Sequence, residues 1–220
     1  MDSKLVGWAR AVKRRLRGRG GPVLWLFTDA VRLADPVAAA AGLPRGLCGV
    51  VLRDDARPGR AALAAALAQV CRARGNALVV AGDTSLAHAV GAGVHLRGGR
   101  RLRGMRGLRG PVTSSAHGAI ELRRAAHAGA GLAFLSPAFA TASHPGAPGL
   151  GTVRWAALAR RAPRGLVVGA LGGIDGASVR RLPGLRCAAA IGALAPRFPP
   201  QRPVASAPQC FGNAMPPVFV

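Results

Sequence analysis

The chain has no tyrosine, and its phenylalanines and tryptophans raise the aromatic content only to 4%. Flat platforms on which bases could stack are scarce, which counts against a single-stranded nucleic-acid partner in spite of the basic character. Acids are also few: Asp and Glu number 8 against 31 Lys and Arg, and Glu121 is the sole glutamate. Lysine is limited to Lys4 and Lys13, so part of the net charge of +23 reflects a general preference for arginine. Such a charge permits nucleic acid, anionic lipid or phosphorylated metabolites. With so few aromatics, a phosphorylated small molecule ranks first and no specific nucleic acid is expected. Cys48, Cys71, Cys187 and Cys210 show no metal-ligand spacing, and they read as reduced, buried thiols of a cytoplasmic protein. No apolar run is long enough to span a bilayer, and the N-terminus lacks the apolar segment of a secretory signal.

What the chain does contain is ordered alternation. Residues 1–21 form a basic extension in which Leu5, Trp8, Val12 and Leu16 recur at helical spacing. This amphipathic helix is expected to pack on the domain, with membrane-surface contact the less favoured reading. From Val23 onward, short runs rich in Val, Leu and Ile alternate with Ala- and Arg-rich helical stretches. Eight strands are predicted, at 23–27, 47–52, 77–80, 93–96, 111–114, 132–135, 166–169 and 187–191. The best helices lie in 59–75, 118–130 and 151–163. Continuous apolarity suits parallel strands covered on both faces, and residues 22–195 fit a small (β/α)8 barrel, with an open doubly wound sheet as the alternative. The tail 196–220 is too rich in proline for a sustained helix, so the eighth outer helix is missing. The flank between the last and first strands must then be covered by the tail, the N-terminal helix or a partner subunit. An exposed flank would favour a homo-oligomer.

In a βα barrel the active site lies at the carboxyl ends of the strands, and phosphate is often held by the loops after strands seven and eight. Those loops read "ALGGIDGAS" (170–178) and "IGAL" (191–194). Gly172 and Gly173 let backbone N–H groups approach an anion, and a helix start near Asp175 would add a favourable dipole. Ile191 and Gly192 complete the expected cradle. After strand four, "RGGRRLRGMRGLRG" packs six arginines between glycines.

The order and spacing of "LWLFTD", "GVVLRD", "AGDTSLAHAVGAGVHL", "SAHGAIELRRAAHAGAGLAFLSPAFATASH", "ALGGI" and "AAIGAL" resemble the thiamine phosphate synthases and the related TenI-type thiazole tautomerases. The resemblance implies a (β/α)8 barrel that binds a thiazole phosphate. In the synthases it implies Mg2+-assisted departure of pyrophosphate from a pyrimidine, followed by capture by the thiazole nitrogen. Several residues implied for that chemistry are changed here. Arg53 is kept, but Val51 and Asp55 stand for a Gln and a Lys. Gly82-Asp83 replaces an Asn-Asp pair, so Asp83 is the one metal acid retained. The second acid gives way to the arginine run, and the loop after strand six keeps Thr141 and Ser143 with His144 for a lysine. Guanidinium groups repel Mg2+ and attract phosphate, so condensation is impaired.

His117 occupies the place of the tautomerases' proton-transferring histidine, and imidazole exchanges protons near neutrality. Ser115 is expected to touch the substrate beside it, whereas His95 reads as a core residue and His88 and His127 as helix residues outside the site. Three functions stand open: condensation on Arg53, Asp83, Thr141 and Ser143; metal-independent tautomerisation on His117; and a non-catalytic barrel that senses a phosphorylated ligand or binds a partner.

Overall fold

The computed structural model describes residues 1–17, 20–53, 55, 57–141, 146 and 148–195. The strands are β1 (Leu24–Phe27), β2 (Cys48–Leu52), β3 (Ala77–Ala81), β4 (Gly93–Leu96), β5 (Val112–Ala116), β6 (Leu132–Leu135), β7 (Val167–Leu171) and β8 (Ala188–Ala190). All are parallel and paired in sequence order, and β8 closes onto β1 with Ala188 opposite Leu24. The eight expected strands are thus present, and the sheet is a closed barrel rather than an open one.

Alternate residues divide between two cores. Leu24 and Leu26 join Val50, Leu52 and Val80 in the layer beneath the helices. Trp25, Phe27, Val51, Val79 and Phe134 fill the barrel itself. Because both faces are dry, the strands have the continuous apolarity seen in the sequence. Inside the barrel, Phe134 meets Trp25 and Phe27 edge-on at 5.7 and 5.1 Å. A Cβ at Gly49 would lie 2.5 Å from the Trp25 ring, so glycine makes room for the indole.

The outer layer contains α2 (Pro36–Gly42), α3 (Arg60–Arg74), α4 (Thr84–Val90), α5 (Ala119–His127) and α6 (Gly151–Arg160). The long Ala-rich α3 stops at Gly75, which adopts the left-handed conformation at φ 64°. The short α2 and α4 are capped by carboxylates: Asp35 accepts from Ala38 N at 2.8 Å and Asp83 from Leu86 N at 2.9 Å.

Two places depart from regular βα alternation. After β4 the arginine-glycine segment forms a series of turns in place of a helix. Leu102, Met105 and Leu108 recur every third residue and pack on Val94, Leu96 and Ala128, while the arginines remain exposed. Thr84 Oγ1 donates to Arg103 O at 2.8 Å, and His88 Nε2 lies 2.9 Å from Gly104 O, which ties these turns to α4. After β7 the helix expected near Asp175 is a single 3-10 turn, Ser178–Arg181. Pro183, two residues beyond it, cannot continue a helix.

The N-terminal helix α1 (Ser3–Arg15) packs along the flank between β8 and β1. It starts at the carboxyl mouth of the barrel, where Asp2 N donates to Ala193 O at 2.7 Å and Gly176 N donates to Asp2 Oδ2 at 2.8 Å. Leu5, Val6, Ala9 and Val12 are buried in the same core as Leu24, Leu26, Val179, Ala188 and Ala190. Helix α1 therefore belongs to the barrel's outer layer. It covers the flank whose exposure would have favoured self-association. The tail from residue 196 lies outside the described residues.

The thiols of Cys48, Cys71 and Cys187 are free and buried. Burial pushes Cys48 up to about 12 and Cys71 up to about 11, and raises Cys187 as well. Among the described residues, no helix is long and apolar enough to cross a membrane.

Candidate functional site

A cavity of about 1260 Å³ opens at the carboxyl ends of the strands. Arg53, Ser115, His117, Thr141, Gly172, Gly173, Ile191 and Gly192 all line it, so eight of the residues singled out from sequence converge on one space. Ser143 and His144 lie outside the described residues. Asp83 is not part of the described lining.

One side of the mouth is built by the loops after β6, β7 and β8. Gly172 and Gly173 adopt φ of 93° and 62°, which side-chain-bearing residues rarely tolerate. A Cβ on Gly173 would lie 2.5 Å from Ala140 O, and one on Gly172 would lie 2.9 Å from Pro137 Cα. Ala138 N donates to Leu171 O at 2.8 Å and Phe139 N to Gly172 O at 3.0 Å, so the two loops are laced together. Facing them, Gly192 has nothing within 4 Å of its would-be Cβ. Carboxylates already serve the far end of the β7 loop, where Asp175 Oδ1 accepts from Ser178 N at 2.7 Å and from Ala177 N at 2.9 Å. The Ser178 N–H holds the Asp175 carboxyl below its usual range.

His117 stands at the end of β5. Its backbone N donates to Glu121 Oε2 at 2.5 Å, and its Nδ1 is 2.9 Å from Ser136 O. A carbonyl oxygen can only accept, so Nδ1 carries the proton in this contact and Nε2 is the acceptor of the neutral ring. Beside it, Ser115 Oγ accepts from Gly98 N at 3.1 Å.

His95 is the core residue expected from sequence, but its ring also borders the cavity. Its Nδ1 is 2.9 Å from Thr113 Oγ1, and Phe27 meets the ring edge-on at 5.4 Å. Burial, aided by the Arg53 charge, lowers it to about 3. Above the ordinary histidine range the group is neutral whether folded or unfolded. Below that range the unfolded chain takes up a proton that the folded chain refuses, so stability falls with pH. A drop from pH 7 to 5 is expected to cost about 2 kcal/mol through this residue. His95→Gln should flatten that part of the pH profile in denaturant melts, and an unchanged slope would refute the assignment.

The rim formed by β1 to β4 is a web of arginines and aspartates. Asp29 Oδ2 bonds Arg32 Nη2 at 2.7 Å and Arg53 Nη2 at 2.8 Å. Chiefly through the Arg32 hydrogen bond, the Asp29 carboxyl is lowered to about 2. Arg60 reaches Asp55 Oδ1 and Asp83 Oδ2, each at 3.3 Å, and donates to Ala81 O at 2.7 Å. Arg97 forms an ion pair with Asp55 Oδ2, and its guanidinium lies 3.7 Å from where a Gly82 Cβ would sit.

The family model for thiamine monophosphate synthase matches residues 28–194, from the end of β1 to just beyond β8. The chain belongs to the thiamine monophosphate synthase (TMP-TENI) family. Among solved structures it is similar to a thiamine phosphate pyrophosphorylase from Pyrococcus furiosus, at 21% identity and TM-score 0.61, over 78% of this chain and 86% of that one. It is also similar to FabK from Thermotoga maritima, at 15% identity and TM-score 0.61, over 84% of this chain and 61% of that one. At these identities the likeness concerns the barrel fold. No curated protein sequence matches the chain.

In this TMP-TENI member some residues that line the cavity, or hold those that do, escape a reading by motif. Asp29 and Arg32 follow β1 as an i, i+3 pair whose role depends on Arg53, far away in sequence. Glu121 could have been found from its place four residues after His117, in the first turn of α5. The part of Ser136 becomes visible only when β5 and β6 lie side by side, with Ser115 opposite Phe134.

Proposed function

We propose that the chain binds a thiazole phosphate, with the phosphoryl group held between the Gly172-Gly173 turn and Gly192. The observation that carries this reading is the pair of left-handed glycines, packed so tightly against the β6 loop that only their backbone is presented to the cavity. Isothermal titration of the full chain with hydroxyethylthiazole phosphate tests it. Saturable binding with one site per chain is expected, and no heat at millimolar ligand would contradict it.

Condensation with a pyrimidine diphosphate is disfavoured by the acids on the opposite rim. Asp83 Oδ1 caps α4 and its Oδ2 faces Arg60, while Asp55 is shared by Arg60 and Arg97. Among the described residues, no three His, Cys, Asp or Glu side chains are gathered where they could hold a metal ion. This donor set does not suit Mg2+.

A second reading, metal-independent tautomerisation, is favoured by the His117 geometry. With Nδ1–H directed at Ser136 O, Nε2 can take a proton from one carbon of a bound thiazole carboxylate phosphate and return it at another, leaving the composition unchanged. Proton NMR of the ligand in D2O would follow the conversion. His117→Ala is expected to slow it by about 100-fold or more with little change in binding, as general acid–base groups contribute on that scale. Binding without conversion by the parent chain would leave a non-catalytic phosphate-ligand sensor.

A further inference from the structure

We propose that the β2–β4 rim of the cavity takes a diphosphate, or the second phosphoryl group of a doubly charged ligand, directly on guanidinium groups and without a divalent cation. The inference rests on the family reading above and concerns the half of the cavity remote from the glycine cradle.

Five arginines line the cavity, Arg32, Arg53, Arg97, Arg100 and Arg124, and three of them, Arg53, Arg97 and Arg100, follow β2 and β4. Their convergence is built into the chain. Arg100 N donates to Arg97 O at 3.0 Å, closing a turn that brings those two residues to one side. Hydroxyls of β5 hold the same turn down, since Gly98 N donates to Ser115 Oγ at 3.1 Å and Gly99 N to Ser114 Oγ at 3.0 Å. Gly99 has no room for a side chain, because a Cβ would come 2.4 Å from Ala125 N. The turn is therefore seated on α5, and the arginines at its two ends border the cavity.

The Arg97 guanidinium lies over the Gly82-Asp83 corner, where a resident cation would need acidic oxygens. A divalent ion arriving there would have to break the Arg60 contacts to Asp55 and Asp83 and the Arg97 contact to Asp55. It would also sit beside several fixed positive charges. An anion meets the opposite situation. Arg97 and Asp55 are 55% and 43% exposed, so their ion pair is weak and easily exchanged for a phosphoryl group gripped by a planar fork. The arginines thus supply the charge that a metal would bring, and they supply it already in place.

Titration with inorganic pyrophosphate at constant ionic strength decides the matter. Binding is expected in EDTA, and excess Mg2+ should weaken it several-fold, because the magnesium complex carries less charge to the arginines. Arg97→Gln combined with Arg100→Gln should lower the affinity in EDTA by about 10-fold or more. Arg103→Gln combined with Arg106→Gln, on the outward turns, should leave it unchanged, and circular dichroism would verify that both variants fold. Binding only with Mg2+, binding in neither medium, or an equal loss in the outward variant would each overturn the proposal. Its failure is separable from that of the glycine cradle: hydroxyethylthiazole phosphate would still bind if only the arginine subsite were wrong. Pyrophosphate would still bind in EDTA if only the cradle were wrong.

Discussion

Replacing Gly192 with aspartate is expected to weaken thiazole phosphate binding by about 100-fold or more while leaving the fold intact. The position is exposed, its φ lies outside the left-handed range, and a Cβ there meets no atom within 4 Å. The backbone can therefore accept a side chain without strain. The new carboxylate would project into the space where the phosphoryl group is proposed to sit. Two like charges about 4 Å apart repel by several kcal/mol at an effective dielectric of about 20, which corresponds to at least two orders of magnitude in Kd. Gly192→Ala adds no charge and should cost far less, so the pair separates electrostatics from bulk. Gly173→Ala would be a poor substitute, because its Cβ would collide with Ala140 O and disturb the fold along with the site. Calorimetric titration of both Gly192 variants measures the effect, and equal affinities for the parent and Gly192→Asp chains would remove the phosphoryl group from this mouth.

Leu5→Asp should lower stability by about 4 kcal/mol or more, since it combines the loss of a buried leucine with the burial of a charge. Leu5 is fully buried in α1 and shares a core with outward-facing residues of β1 and β8. An ordinary surface extension would tolerate the change. A helix completing the barrel's outer layer cannot, because its removal from the flank exposes Leu24, Leu26, Ala188 and Ala190 to water. Arg10→Asp, on the exposed face of the same helix, is expected to change stability by only a few tenths of a kcal/mol. Urea melts of the two variants supply the contrast, and a small effect at Leu5 would show that α1 is dispensable.

Most strands were legible because they are short apolar runs, as a parallel barrel covered by helices keeps both strand faces dry; β5, Val-Thr-Ser-Ser-Ala, is the polar exception. The position of the candidate site was legible for a related reason. The Gly172-Gly173 turn and the "IGAL" segment follow directly from the ends of β7 and β8, so their place at the mouth is fixed once the barrel is recognised. Other features depend on packing between distant segments. That α1 covers the flank between β8 and β1 could not be read from the sequence, since Leu5, Val6, Ala9 and Val12 advertise an amphipathic face without naming what it covers. The arginine-glycine run concealed a second pattern. Leu102, Met105 and Leu108 at every third position cover β4 and β5, a spacing of successive turns that a search for helices passes over. The ion pairs linking Asp55 and Asp83 to Arg60 and Arg97 join β2, β3, β4 and α3, and no local signal in the sequence announces them.

A crystal structure of the full chain with hydroxyethylthiazole phosphate tests the central claim most directly. The account predicts a phosphorus atom between the Gly172-Gly173 turn and Gly192, with its oxygens within hydrogen-bonding reach of their backbone N–H groups. Density for the phosphoryl group on the exposed arginine turns, or at the opposite rim with the glycine cradle left empty, would contradict it.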